Sequence, residues 1–261
     1  MFENVWLEYV VLYFILFALI FFRYLMVSYI FYFIYFVLKF DTYKGRKVSK
    51  ALRKPKQSQK EIRLSFIASG IFAFGALALL IFWKEGIIKI YEDPGQYGYW
   101  YLPVSLFAVM FIHETYYYWL HRWMHKPGIY QYVHKGHHDS KVTSAWTSFA
   151  FDPIESFLQA VFLPIVLLFI PLHVAVVALL LMIMTISATI NHLDIEIYPK
   201  GFNRNPIGKW FIGATHHGLH HTEFITNYGL YFTFWDKWMN TESKKYDALF
   251  DELTNKKLGA Q

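Results

Sequence analysis

The sequence predicts an all-α, multi-pass membrane helical protein with a cytosolic, histidine-rich cap that holds two metals. Three observations predict it. Apolar residues make up 56% of the chain and aromatic residues 21%, against about 45–50% apolar in soluble domains even with glycine counted. The apolar residues fall into long stretches separated by short polar ones. Eight of the twelve histidines sit in three short motifs: His121-Arg-Trp-Met-His125, His134-Lys-Gly-His137-His138 and His217-Gly-Leu-His220-His221.

The first apolar stretch runs from Leu7 to Leu38, interrupted by Glu8 and Arg23. A bilayer core takes about 20 such residues, so this span tilts or extends past the hydrocarbon. The amino terminus, Met1 to Trp6, lacks the basic leader and small-residue cleavage site of a signal peptide, and the span is expected to remain as an anchor. Nine Lys or Arg follow between Lys44 and Arg63. A basic loop beside a span marks the cytosolic side. The net charge of +6 is thus explained by the membrane, and nucleic acid is not expected as a partner. Leu64 to Trp83 reads as a second span, Pro94-Gly95 as a turn, and Tyr97 to Leu120 as a third span whose costly polar residues are His113 and Glu114. Ile154 to Ile190 holds two apolar runs broken near Pro171-Leu-His173, a helical hairpin that either spans or dips. His173 at its tip reads as structural. Residues 1–63 form the anchor and basic loop; residues 64–261 carry the membrane helices and the catalytic region, with its motifs within 113–241.

Topology brings the motifs to one face. With the basic loop in the cytosol, the second span leads out and the third leads back, so His121 to His138 emerge on the cytosolic side. The hairpin crosses twice or not at all. Either way His192 and the last motif return to that side.

Neutral imidazole is a good ligand for iron, zinc or copper. Residues three or four apart on a helix share a face, so His121 and His125 point together, as do His134, His137 and His138, and His217, His220 and His221. His192 lies where the hairpin returns and is a ninth candidate ligand. His113 and His216 stand open between ligand and support. About nine imidazoles suit two metals, whereas a hydrolytic zinc needs about three protein ligands and an open position. The chain has no cysteine, which excludes disulfides, Cys-ligated iron–sulfur clusters and thiolate-ligated haem. Electrons must therefore come from an external donor. Glu114, Asp139, Glu155, Asp194 and Asp236 are candidates to accept the second ring N–H of a ligating histidine. Asp139-Ser and Asp152-Pro read as helix starts. Arg122 and Lys135 are expected to face outward, toward lipid head groups or an acidic partner. Trp146, Phe149 and Phe151 are candidates to line a lipid path.

These motifs resemble the sterol desaturase/fatty acid hydroxylase superfamily of integral-membrane enzymes. Tyr118-Trp-Leu-His121-Arg-Trp-Met-His125, His134-Lys-Gly-His137-His138 and His217-Gly-Leu-His220-His221 look like its three histidine boxes, and Asn191-His192 like the isolated histidine ahead of the third. Asn227-Tyr-Gly229 and Trp235 to Thr241 also match, so the likeness covers about Ile112 to Thr241. It implies two Fe ions, O2 as co-substrate, and hydroxylation or desaturation of a sterol or of a fatty-acyl or sphingoid-type lipid. It implies a redox partner such as a cytochrome b5-like protein, a ferredoxin or a reductase. It also implies ligand roles for His121, His125, His134, His137, His138, His192, His217, His220 and His221. Zn can replace iron in purified protein, since an all-nitrogen site prefers zinc to ferrous iron. Two positions depart from the pattern. Asp152-Pro-Ile-Glu155 stands where the family more often has His-Pro-x-Glu, so no direct metal role is expected at 152. Asn240 stands where a glycine commonly precedes the threonine. The competing reading is a zinc-dependent membrane hydrolase acting on a lipid, which would need neither O2 nor reductant. The expected location is a bacterial inner membrane or an endoplasmic reticulum.

Overall fold

The computed structural model describes residues 5–256, so the first four residues of the amino-terminal stretch lie outside the described residues. α1 (Val5–Tyr32) continues through a π-helical segment, Phe33–Leu38. α2 (Gln57–Lys84) runs back against it: Tyr13 donates to the Gly70 carbonyl at 3.3 Å and Phe17 meets Phe66 edge-on at 4.9 Å. α2 begins seven residues ahead of the expected span, because the basic segment before Leu64 is already helical and hydropathy does not mark a polar first turn. Val5–Leu38, Gln57–Lys84 and Val174–Asn191 are each long and apolar enough to cross a membrane. α1 turns Phe14, Ile15, Leu19 and Phe22 outward, at least half exposed, which suits lipid rather than water.

α3 (Tyr101–Met124) starts four residues later than the expected span and runs four further. Residues around Gly98 form a turn that delays it, and the first histidine motif prolongs it. At about 1.5 Å per residue it is long enough to cross. Its polar stripe (Ser105, His113, Glu114, Tyr117, Tyr118, His121) faces inward and is buried.

The hairpin has one broken arm and one straight arm. The broken arm is α4 (Pro153–Ala160) and α5 (Phe162–Phe169). Pro164 lacks the N–H that would reach the Ala160 carbonyl, which accounts for the break. The straight arm is α6 (Val174–Asn191). Between them β2 (Leu172–His173) pairs in parallel with β1 (Ile90–Tyr91), in the α2–α3 connection. The hairpin tip therefore reaches the end of the bundle opposite the histidine motifs. His173 serves the fold there: its Nδ1 accepts from Ala175 N at 3.1 Å, capping α6, and its Nε2 donates to the Glu92 carbonyl at 2.8 Å. The main core joins α3, α5 and α6 through Val109, Met110, Phe162, Leu167, Leu172 and Leu180. Beyond α6 come α7 (Ala214–Glu223), α8 (Phe234–Trp238) and α9 (Tyr246–Asn255), which close the cap.

Candidate metal centre

Four pieces of backbone deliver the histidines. The end of α3 carries His121 and His125. Two single helical turns, Tyr130–Val133 and Lys135–His138, flank His134 and carry His137 and His138. His192 caps the end of α6, and α7 carries His217, His220 and His221. The nine rings gather into two groups, His121, His125, His134, His138 and His220 in one and His137, His192, His217 and His221 in the other. The groups do not follow the motifs. The expectation that His134, His137 and His138 act from one face is corrected: His134 bends the chain (φ −139°) between the two turns, and His137 faces the other group. α7 divides in the same way, with His220 in the group of five and His217 and His221 in the group of four.

In the first group Nε2 of His121 lies 3.0 Å from that of His134, and Nε2 of His220 lies 3.1 Å from His125 and 3.0 Å from His138. In the second, Nε2 of His192 lies 3.2 Å from His137 and 3.0 Å from His217, whose Nε2 is 3.2 Å from His221. Five Nδ1 atoms face oxygen acceptors. His121 donates to the Tyr228 carbonyl at 2.9 Å, His134 to Glu155 Oε2 at 2.7 Å and His220 to the Thr226 carbonyl at 2.7 Å. His137 donates to the Ala150 carbonyl at 3.2 Å and His192 to the Ala188 carbonyl at 2.7 Å. A ring that donates from Nδ1 presents a bare lone pair at Nε2. Lone pairs converging at 3.0–3.2 Å cannot bond to one another. They match the separation of about 3 Å between adjacent nitrogens held at about 2.0–2.1 Å from one ion. The donor set thus fits two nitrogen-ligated divalent cations. Burial, reinforced by the other rings, holds His134, His138, His217 and His221 well below the usual imidazole range. Burial holds His137 at about 3 and His192 at about 4. The rings are neutral at pH 7, the form that binds metal.

The carboxylates divide. Glu155 touches a candidate ligand directly. Glu114 does not; it accepts from the backbone amides of Leu230, Tyr231 and Phe232 at 2.9, 2.6 and 3.2 Å. Asp236 accepts from Tyr228 N and Gly229 N, both at 2.9 Å, and burial lifts its carboxyl to about 6. Both carboxylates therefore fix the strand-like segment whose Tyr228 carbonyl orients His121. Gly229 is needed there: a Cβ would lie 2.6 Å from the Phe232 carbonyl and 3.0 Å from Glu114 Oε1. Asp139 and Asp194 are not brought to the rings. Asp139 pairs with Lys60 at 2.6 Å, ends the 135–138 turn and starts no helix. Asp194 accepts from Ser49 N at 2.9 Å and Ser49 Oγ at 2.7 Å. Asp152 does start α4, but its side chain turns back to accept from Gly136 N at 2.7 Å. A Cβ on residue 136 would lie 2.2 Å from Asp152 Oδ1, so this close approach explains the glycine inside the second motif.

His113 and His216 lie outside both groups. His113 shares a 2.7 Å hydrogen bond with the Tyr231 hydroxyl, and His216 packs on Tyr246 with its ring centroid 5.1 Å away. Arg122 lies over the Trp119 ring at 5.6 Å, and Lys135 is exposed. Sequence reasoning missed Glu196, which is fully buried and accepts from Thr215 N and Tyr198 N, each at 3.0 Å, anchoring the first turn of α7. Its signal was a lone acidic residue between two isoleucines. The carbonyl acceptors of Ala150, Ala188, Thr226 and Tyr228 left no signal at all.

A cavity of about 410 Å³ runs among α1, α2, α5 and α6 and ends at His192 and His217. Phe149 and Phe151 line it; Trp146 does not. The expectation for Trp146 is corrected, because its ring is turned toward Tyr24 and Tyr32 at 6.5 and 5.8 Å.

Residues 106–241, just over half the chain and every histidine of both groups, match the model of the fatty acid hydroxylase family. The chain belongs to this family. As a fatty acid hydroxylase family member it is 33% identical over 184 residues to human lathosterol oxidase, covering 69% of the chain and 60% of that protein. It is 31% identical over 183 residues to a Delta(7)-sterol 5(6)-desaturase of Gibberella zeae, covering 70% of the chain and 55% of the relative. A Delta(7)-sterol 5(6)-desaturase of Schizosaccharomyces pombe is 28% identical over 99% of the chain and 75% of its own length. The chain spans about 60% of the length of the first of these relatives. No solved structure matches it. Asn240 takes a φ of 54°, which asparagine tolerates and glycine adopts freely.

Proposed function

We propose that this protein is a membrane-bound, O2-dependent hydroxylase or desaturase of a lipid, using two irons and an external electron donor. The active face is the cytosolic one, in an endoplasmic reticulum or bacterial inner membrane. One observation carries the reading: the four-histidine group opens, through His192 and His217, onto an apolar cavity within the membrane helices. A hydrolase would need water at that opening, whereas this one is lined mainly by apolar side chains, Phe149, Phe151 and those of α5 and α6 among them, with few polar groups beside them. The relatives' names, lathosterol oxidase and Delta(7)-sterol 5(6)-desaturase, point to oxidation of a lipid.

Bound iron would supply O2 activation and attack on an unactivated C–H bond. The residues of the chain do the rest. The five- and four-histidine groups would each hold one ion, and Glu155 fixes the tautomer of His134. Phe149, Phe151 and the helices around the cavity exclude water from the reacting carbon. His192 and His217, at the mouth, set where that carbon stops. Hydroxylation and desaturation share the first hydrogen abstraction, and placement by about 1 Å decides between them. Inserting one oxygen atom releases the other as water, so two electrons and two protons must arrive from outside.

The test combines metal analysis with untargeted lipidomics of cells that express the protein or its His137→Ala variant. Two irons per chain are expected with the native residue, and a lipid gaining one oxygen, or losing two hydrogens, is expected only in air and only with the native residue. Equal lipid turnover under argon would sink the proposal and favour zinc hydrolysis.

A further inference from the structure

Arg23 lines the same cavity, is half-buried, and has no hydrogen bond or ion pair among the described residues. Its Nε is buried without a partner. No aspartate or glutamate is among the cavity-lining residues. A guanidinium left without a counter-ion beside hydrocarbon is costly, and such a residue in a membrane span is by default a functional-site candidate, for which an anionic group in the cavity is the matching partner. The neighbouring side chains fix where along the cavity it stands. Tyr24 stacks on Phe149 at 5.4 Å and donates to the Trp146 carbonyl at 2.9 Å. Phe151, 6.1 Å from Phe149, meets the His137 ring at 5.4 Å. Arg23 and the four-histidine group thus share the cap end of the cavity. Leu79, Leu163 and Val177 line its other end, toward the hairpin tip.

We propose that Arg23 holds the oxyanion head, carboxylate or phosphate, of an acidic amphiphile whose apolar body fills the cavity. That this ligand is the substrate rests on the function proposed above. It narrows the lipid class: an acidic chain lipid is preferred over a neutral sterol, which brings only a hydroxyl to the guanidinium. With head and histidines at one end, the carbons presented for oxidation are those near the head rather than at the tail tip.

The test measures binding of labelled palmitate, hexadecyl phosphate and 1-hexadecanol, which share one tail, to the metal-loaded chain in neutral detergent. At least one acid should bind about 10- to 100-fold tighter than the alcohol, the range for a charge-assisted hydrogen bond. The stronger of the two acids tells carboxylate from phosphate. Arg23→Gln should abolish the preference and Arg23→Lys keep part of it, with metal content unchanged in both. Equal binding of acids and alcohol, or a preference that survives Arg23→Gln, overturns the proposal. Because binding is read without turnover, its failure is separate from failure of the oxygenase reading. A protein that prefers acids yet oxidises nothing would refute only that reading.

Discussion

The five-histidine and four-histidine groups use one residue type and one spacing of nitrogens, yet their surroundings differ. The group of five is closed to the cavity, and its His125 ring is only half-buried. Three of its rings, His121, His134 and His220, are oriented by the Tyr228 carbonyl, Glu155 and the Thr226 carbonyl, and none of the five lines the cavity. The group of four has fewer candidate ligands, only His137 and His192 are oriented by carbonyls (Ala150 and Ala188), and it opens to the cavity through His192 and His217. A site away from the cavity beside one that opens onto it is the division expected if one ion were only held and the other met substrate. The fold achieves it by splitting each of two histidine motifs between the groups, so that a shift in either stretch of backbone moves rings of both.

That comparison can be broken most sharply at the ligands. His220→Ala in the closed group and His217→Ala in the open one should each abolish turnover, by about 100-fold or more. His220→Ala should also lower iron occupancy at both sites, because α7 carries ligands of both. If iron analysis showed His220→Ala losing one ion with the other site and activity intact, the groups would be independent. Next comes Glu155, whose removal acts on the closed group alone. Glu155→Gln should cost about 10–100-fold in metal affinity or activity, measured by iron titration against a chelator. An unchanged affinity would mean that Glu155 serves only packing.

Gly136→Ala probes the hinge between the groups. Its Cβ would meet Asp152 Oδ1 at 2.2 Å, so either the Asp152 carboxylate gives up its bond to Gly136 N or the turn carrying His137 and His138 shifts. A loss of about 1–3 kcal/mol in stability is expected from overpacking, read as a lower thermal midpoint. Combining it with Asp152→Ala should recover part of that loss; no recovery would place the strain elsewhere. The smallest effect is at Lys60–Asp139, a pair about half exposed on both sides. Asp139→Asn should change stability by less than about 1 kcal/mol and leave iron content alone. A drop in iron would show that Asp139 reaches the rings after all.

Sequence alone determined the helical membrane class and the nine histidines that converge, because hydropathy and histidine spacing are local patterns. It also separated His173 from the others, since that residue stands at the far tip of a broken apolar run. Span limits were less legible: the polar first turn of α2 and the extension of α3 through Met124 follow from hydrogen bonding rather than apolar content. Only the tertiary structure decided which histidine joins which group. Ring direction depends on the bend at His134 and on how α7 lies between the end of α3 and the end of α6, contacts between residues far apart in the chain. The same holds for the carboxylates. Glu114, Asp236 and Glu155 look alike in the sequence. Burial forces each to find donors, and the fold hands Glu114 and Asp236 backbone amides while it hands Glu155 a ring.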